Sequence, residues 1–178
     1  MKITRLSQTN SKSFLQAWHL YEQAFPMDER RDLDLQQQAM QNVNYHFDIV
    51  SIDGVFVGFI LWWQFKGLRY IEHLATRMEC RGKGYGKSIV EQFATESADQ
   101  IILEVELPNN AISKRRIGFY QRLGFKLNQH DYKQLPMRKN GAEVEMLLMT
   151  YPNALTAQQL SFFKASYREM CYSILTNS

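Results

Sequence analysis

Only two cysteines occur in the 178 residues, Cys80 and Cys171, and they stand far apart without CxxC or Cys/His spacing. Neither a disulfide framework nor a zinc site is suggested, and reduced thiols in a cytoplasmic protein are the simplest reading. Long apolar runs are missing as well. The longest, Phe59 to Trp63, is far too short to span a bilayer, and Met1-Lys2-Ile3-Thr4-Arg5 lacks the apolar centre of a signal peptide. No membrane partner is expected. Charge of one sign is not in excess either: 21 Lys and Arg face 18 Asp and Glu, and a net charge of +3 does not imply nucleic acid as a partner. There is no internal repeat and no low-complexity linker, so a single domain over 1–178 is expected, with 151–178 as a C-terminal helical extension.

What is present suits one packed core. Hydrophobic residues make up 45% of the chain and aromatic residues 13%, and no segment combines low hydrophobicity with high charge. Phe14, Trp18, Tyr21 and Phe25 recur at helical spacing until Pro26, and a more polar helix is predicted over Asp32 to Asn42, rich in Gln and read as a solvated surface element. The period then shortens to two. Tyr45 to Ile52 and Val55 to Phe65 are β-prone runs joined by Asp53-Gly54, a pair suited to a tight hairpin turn, and Lys66-Gly67 leads into a third strand, Leu68 to Thr76.

A helix follows over about Gly84 to Ser97, then the strand Ile101 to Glu106, then a helix ending at Leu123-Gly124, with glycine at a usual terminating position. Strands over Phe125 to Gln134 and Ala142 to Thr150 complete the pattern. Beyond Pro152 an amphipathic helix sets Leu160, Phe163, Tyr167, Cys171 and Ile174 on one side. That face is read as packing on its own domain in preference to a dimer contact; monomer and homodimer both stay open. Mixed α/β is the fold class.

The third strand runs directly into Arg81-Gly82-Lys83-Gly84-Tyr85-Gly86, which opens a helix. Such a turn holds phosphate because glycine lets the backbone approach, free N–H groups point outward, and the helix dipole favours negative charge. Arg77, Arg81, Lys83 and Lys87 fall within eleven residues that contain one acid, Glu79, and Lys114-Arg115-Arg116 forms a second short run. Without a motif, such runs are solvated faces.

Three phosphate patterns can be compared. GxGxxG fails, since its last position is Lys87 or Ile89. A P-loop ending is present in Gly86-Lys87-Ser88, but its first glycine would be residue 81, which is Arg, and the antiparallel strands before it are foreign to that fold. The pattern [Arg/Gln]-x-x-Gly-x-[Gly/Ala] fits Arg81, Gly84 and Gly86. With the preceding strand Glu72 to Thr76, the strand Leu103-Glu104-Val105 and the later Gly118-Phe119-Tyr120-Gln121-Arg122-Leu123-Gly124-Phe125, the chain from about Met1 to Thr150 resembles the GNAT superfamily of acyl-CoA-dependent N-acetyltransferases.

The resemblance implies a mixed, mostly antiparallel sheet of six to seven strands, flanked by helices. It implies acetyl-CoA as cosubstrate, no metal, and an amine acceptor. The sheet would splay beside Leu74, Ala75 and Thr76, whose backbone would meet the pantetheine arm, while Arg81, Gly82, Lys83, Gly84, Tyr85, Gly86 and Lys87 would hold the pyrophosphate. Asn109 resembles a family asparagine that contacts CoA, although the stretch from it to Tyr120 is several residues longer than the commonest pattern. Tyr120 aligns with a tyrosine that protonates the departing thiolate.

An exposed amine has a pKa of roughly 10.4, so a base that takes its proton is useful. Alternation puts Glu104 and Glu106 on one strand face, with Ile101, Leu103 and Val105 on the other. Glu104 and Glu72 rank equally as candidates; both also fit charged residues lining a wet groove. His73, taken to point the opposite way from Glu72, comes next and reads as a packed or surface histidine. Phe25 to Arg31 and Trp62-Trp63 are expected to border the acceptor groove, with Glu22, Asp28, Glu29 and Asp32 available to attract a cation. The acceptor is a small molecule, a peptide N-terminus or a protein lysine. A catalytically silent acyl-CoA-binding module and a P-loop-like nucleotide binder are the rival functions.

Overall fold

Ser11 starts the first helix by accepting the N–H of Phe14 at 3.1 Å, and the chain winds from Lys12 to Ala24 (α1) before Pro26, which has no N–H to give, ends the run. The buried residues Phe14, Ala17, Leu20 and Tyr21 form its inner stripe. In this computed structural model, which describes residues 1–176, a 3₁₀ turn at Met27–Glu29 leads to a second helix, Leu33–Gln41 (α2). That helix is not the solvated element its composition suggests. Leu35, Gln36 and Ala39 are buried, and the Gln36 amide donates to the Tyr45 hydroxyl at 2.9 Å, so a polar residue occupies an inward position with a partner.

The predicted meander is present as Tyr45–Ile52 (β2), Val55–Phe65 (β3) and Leu68–Thr76 (β4). Asp53 and Gly54 both take positive φ, 50° and 79°, which is why that residue pair sits at the tip. A short strand, Lys2–Arg5 (β1), pairs with the outer side of β2. Sequence reasoning missed it, because four residues with only Ile3 half-buried carry almost no alternation.

After β4 come helix Tyr85–Thr95 (α3), strand Gln100–Glu106 (β5), helix Ala111–Arg122 (α4), strands Lys126–Gln134 (β6) and Val144–Tyr151 (β7), and helix Ala157–Thr176 (α5). The seven strands lie in the order β1-β2-β3-β4-β5-β7-β6, and every neighbouring pair is antiparallel except β4 with β5. The mixed, mostly antiparallel sheet implied by the resemblance is thus observed.

Helices cover both faces. One face packs Phe47, Phe59, Trp63 and Tyr70 against α1, α2 and α5; the other packs Ile60, Trp62, Ile71, Ile101, Leu103 and Val105 against α3 and α4. The apolar side of α5 rests on its own sheet, with Phe163 and Tyr167 meeting the Tyr70 ring edge-on at 5.2 and 5.1 Å. Residues 177 and 178 of the expected extension lie outside the described residues. Both cysteines are buried free thiols, and no helix among the described residues is long and apolar enough to cross a membrane.

One irregularity positions the site. Leu61 pairs with His73 but Trp62 pairs with Ile71, so Glu72 is an extra residue in β4. Such a bulge re-aims side chains. Glu72 and His73 consequently share contacts on the face toward α1, and the opposite orientation expected for His73 from simple alternation is corrected.

Candidate active site

The parallel ladder between β4 and β5 lasts for four pairs, from Leu68 with Gln100 to Ile71 with Leu103, and then stops. Beyond it the two strands part. Thr76, Ala75 and Leu74 stay paired to β3 through Gly58, Phe59 and Ile60, but have no strand on their other side. Gly58 is required there: a Cβ would stand 2.3 Å from the Ala75 carbonyl oxygen. The gap between β4 and β5 belongs to a cavity of about 710 Å³, walled by Glu72 to Thr76 on one strand and by Leu103 and Glu104 on the other.

The glycine turn closes one end of this cavity. Gly82 and Gly84 take φ of 76° and 81°, a region open to glycine, and Gly84 is the N-cap of α3 with no side chain capping the helix. The first N–H groups of a helix have no partner within it, so here they face outward with the positive end of the helix dipole. A Cβ at Gly82 or Gly84 would meet nothing within 4 Å; conformation, not crowding, selects glycine, and the space in front of the turn is open.

Arg81, Gly82, Gly84, Tyr85, Gly86 and Lys87 line the cavity, as do Leu74, Ala75 and Thr76. Lys83 is exposed and does not line it. Neither does Asn109: its N–H turns back to the Leu107 carbonyl at 2.7 Å, and the next residue, Asn110, caps α4 by accepting from Ile112 and Ser113. The expectation that Asn109 meets the cosubstrate is therefore corrected: it is exposed and does not line the cavity.

Sequence reasoning missed Ile112, Phe119 and Arg122, which line the cavity together with Arg115, Arg116 and Tyr120. A signal was available. Positions 112, 115, 116, 119 and 122 follow helical spacing and mark the face of α4 turned toward the gap. Of the basic run, Arg115 is exposed at the cavity, while Arg116 is held by an ion pair with Glu106.

The two candidate carboxylates have opposite environments. Glu72 is buried, which by itself would raise its pKa, but the charge and hydrogen bonds of Arg31 reverse this and hold it down to about 2. Arg31 Nη2 donates to Oε1 at 2.6 Å, Nη1 donates to Oε2, and the Trp63 indole N–H donates to Oε1 at 3.1 Å. A carboxylate so held has little affinity for a proton.

Glu104 is half-buried, and burial pushes its pKa up to about 7, against the lowering effect of hydrogen bonds from Tyr132, Tyr70 and Gln134. The Tyr70 hydroxyl lies 2.8 Å from Oε2, Gln134 also donates to Oε2, and Tyr132 donates to Oε1. A carboxylate accepts about four such bonds, so one site is left.

Tyr120 is buried between Phe119 and Phe125, and its pKa is raised to about 12, chiefly by burial, so it keeps its proton at neutral pH. His73 is packed, as expected, edge-on against Tyr21 and Phe25, and its Nε2–H donates to the Glu29 carbonyl at 2.8 Å. Phe25 borders the cavity, but Trp62 and Trp63 do not: Trp62 faces the α3 side and donates to Asp48 at 2.8 Å, and Trp63 is committed to Glu72. Arg31 stands behind Glu72 and not in the open groove. Glu22 and Asp32 are engaged by Arg30 and Arg138. Among the described residues no three metal-ligating side chains converge.

With this geometry in view, residues 12–125 match the acetyltransferase (GNAT) family. The chain is 32% identical over 114 residues to an uncharacterized N-acetyltransferase of Methanocaldococcus jannaschii, covering 61% of this chain and 68% of that one. Among solved structures, it is similar to a putative GNAT-family acetyltransferase from Bacteroides thetaiotaomicron, with TM-score 0.84, 31% identity and 96% of both chains covered. The ribosomal-protein-S18-alanine N-acetyltransferase from Escherichia coli shares the fold at TM-score 0.60 and 20% identity, over 88% of this chain and 96% of that one.

Proposed function

The chain belongs to the GNAT family of acetyltransferases, and on that premise we propose that it moves an acetyl group from acetyl-CoA to an amine by direct attack in a ternary complex. One observation carries the reading: an uncapped helix start behind two left-handed glycines, set at the open end of a gap in the sheet. The residues present fit the donor. The backbone of Arg81 to Lys87 would hold its diphosphate, with Arg115 and Arg122 adding positive charge, and the unpaired edge of Leu74 to Thr76 would hydrogen-bond its amide-bearing arm.

The donor supplies an electrophilic carbonyl and a leaving thiol whose pKa is about 8.5. The chain supplies proton management. Glu104 accepts the proton that the attacking ammonium must lose, at its remaining acceptor site or through one water; its pKa of about 7 suits that task near neutral pH. As the new C–N bond forms and the C–S bond breaks, Tyr120 gives its hydroxyl proton to sulfur. Backbone N–H near Leu74 polarises the carbonyl, so no side chain is needed there. Glu72 takes no proton in this scheme; it fixes the wall.

Calorimetric titration with acetyl-CoA and with ATP tests donor choice, and thiol release across amine classes tests turnover. Preference for ATP refutes the reading. Binding of acetyl-CoA without thiol release for any amine would leave an acyl-CoA-binding module instead of an enzyme.

A further inference from the structure

The two oxygens of Glu104 are not used alike. Oε2 accepts from the Tyr70 hydroxyl at 2.8 Å and from the Gln134 amide, whereas Oε1 accepts from Tyr132 alone. Each carboxylate oxygen offers about two acceptor sites, so the free one is on Oε1, beside the Tyr132 hydroxyl. Tyr132 is held there by parts of the chain that lie beyond the residues matching the family. From Asn128 opposite Leu148 to Tyr132 opposite Met146, β6 advances four residues while β7 advances two. This bulge brings Tyr132, in place of His130, to that register. Asn128 anchors its start, donating to the Thr150 hydroxyl at 2.9 Å and accepting the Leu155 N–H at 3.0 Å. From α5, Phe163 packs on the Tyr132 ring at 6.1 Å, and the Lys164 ammonium, 5.9 Å from the ring centre, donates to the Asp131 carbonyl at 3.2 Å. Tyr132 is buried and does not line the cavity, so it meets the chemistry only through Glu104.

We propose that Tyr132 is a positioning residue: its hydroxyl turns the Glu104 carboxylate so that Oε1 receives the acceptor's proton, and it favours the ionised carboxylate that can do so. The inference rests on the proposed role of Glu104 as base. An N–H bond of the ammonium breaks and an O–H bond forms at Oε1, leaving the nitrogen lone pair free to attack. A proton arriving there weakens the bond from Tyr132, while the two bonds to Oε2 persist. Tyr132 is thus the donor most directly opposed to protonation. The other titratable groups around Glu104 keep their charge state near neutral pH. Burial pushes Tyr70 and Tyr167 up and Cys171 to about 12, and Glu72 is ionised against Arg31; β7 places the apolar Leu148 opposite.

The test follows the Glu104 carboxyl by carbon NMR of protein labelled at the glutamate carboxyl carbon, the resonance being the one missing from Glu104→Gln. The unaltered protein is compared with Tyr132→Phe and with protein ring-fluorinated at Tyr132, whose hydroxyl is a stronger donor in the same place. The NMR midpoint should rise by about one pH unit in Tyr132→Phe and fall in the fluorinated protein. The acid limb of kcat/KM should move the same way, read as thiol release from acetyl-CoA with the fastest of n-butylamine, Nα-acetyl-lysine and an alanyl peptide. Acetyl-CoA affinity should stay within about twofold. A packing role would instead lower the rate at every pH and leave both midpoints in place. If the unaltered protein releases no thiol, or its acid limb does not follow the Glu104 midpoint, the base role and this inference fall together. If the limb follows Glu104 but the midpoint stays put in both altered proteins, this inference alone is overturned. Should Tyr132→Phe not fold, the fluorinated protein decides by itself.

Discussion

Arg31 and Glu72, separated by 41 positions in the chain, meet as a fork on a fork: two guanidinium nitrogens donate to the two oxygens of one carboxylate, and both side chains are buried. The pair fastens the segment after α1 to the bulge of β4. Removing one partner strands a charge in the interior, and Glu72→Gln should lower stability by roughly 3–5 kcal/mol, read by urea unfolding. The double change Arg31→Met with Glu72→Gln should recover much of that loss. The folded pKa of Glu72, about 2, lies below its ordinary 4.5, so this stabilisation is present above pH 4.5 and disappears as pH falls toward 2.

Glu104 behaves in the reverse sense. Its folded pKa, about 7, lies above the ordinary value, so the fold favours its protonated form, and stability from this group declines as pH rises from 4.5 through 7. Under the proposed mechanism activity has the opposite slope, because Glu104 would have to be ionised to take a proton. The rate kcat/KM should fall below about pH 7, and Glu104→Gln should slow turnover by about 10²- to 10⁴-fold and remove that acid limb. A pH–rate profile of the two proteins decides; an unchanged acid limb in the variant would move the base elsewhere.

Gly84→Asp should abolish acetyl-CoA binding while the protein stays folded. The new side chain strains a φ of 81° by about 1–2 kcal/mol, yet its carboxylate can cap the N–H groups that Gly84 leaves free. Those are the groups a diphosphate would need, and the added charge repels it. Thermal unfolding alongside calorimetry separates the two effects.

Tyr120→Phe should leave acetyl-CoA affinity within about twofold and reduce turnover, since the ring's contacts with Phe119 and Phe125 survive and only the hydroxyl proposed to protonate the thiolate is lost. Full activity in the variant would assign the ring to packing alone. The effect should be modest, because a thiol of pKa about 8.5 departs readily.

The parts of this fold legible in the sequence are those written in local chemistry. Asp53-Gly54 marks a turn because both residues need positive φ, and Gly82 and Gly84 mark the phosphate-type turn for the same reason. The stop of β4 against β5 is not local: it follows from where two strands diverge in space, and only the family resemblance pointed to it. The bulge at Glu72 leaves no mark either, because adjacent polar residues hide the break in alternation. For the same reason Glu72 and Glu104 looked equivalent. Their difference comes from Arg31 on one and from Tyr70, Tyr132 and Gln134 on the other, partners 28 to 41 positions away. The motif's span includes Lys83 and the family resemblance points to Asn109, yet neither residue lines the cavity.

The short ladder between β4 and β5 also makes the sheet a ruler. The glycine turn and the bulge at Glu72 are separated by a stiff run of strand, so a donor gripped at one end has its reactive carbon delivered at a set reach along the other. In the proposed reading, acyl groups are sorted by where the arm delivers them. A truncated thioester that carries the same acetyl group but no diphosphate would arrive unregistered and turn over poorly.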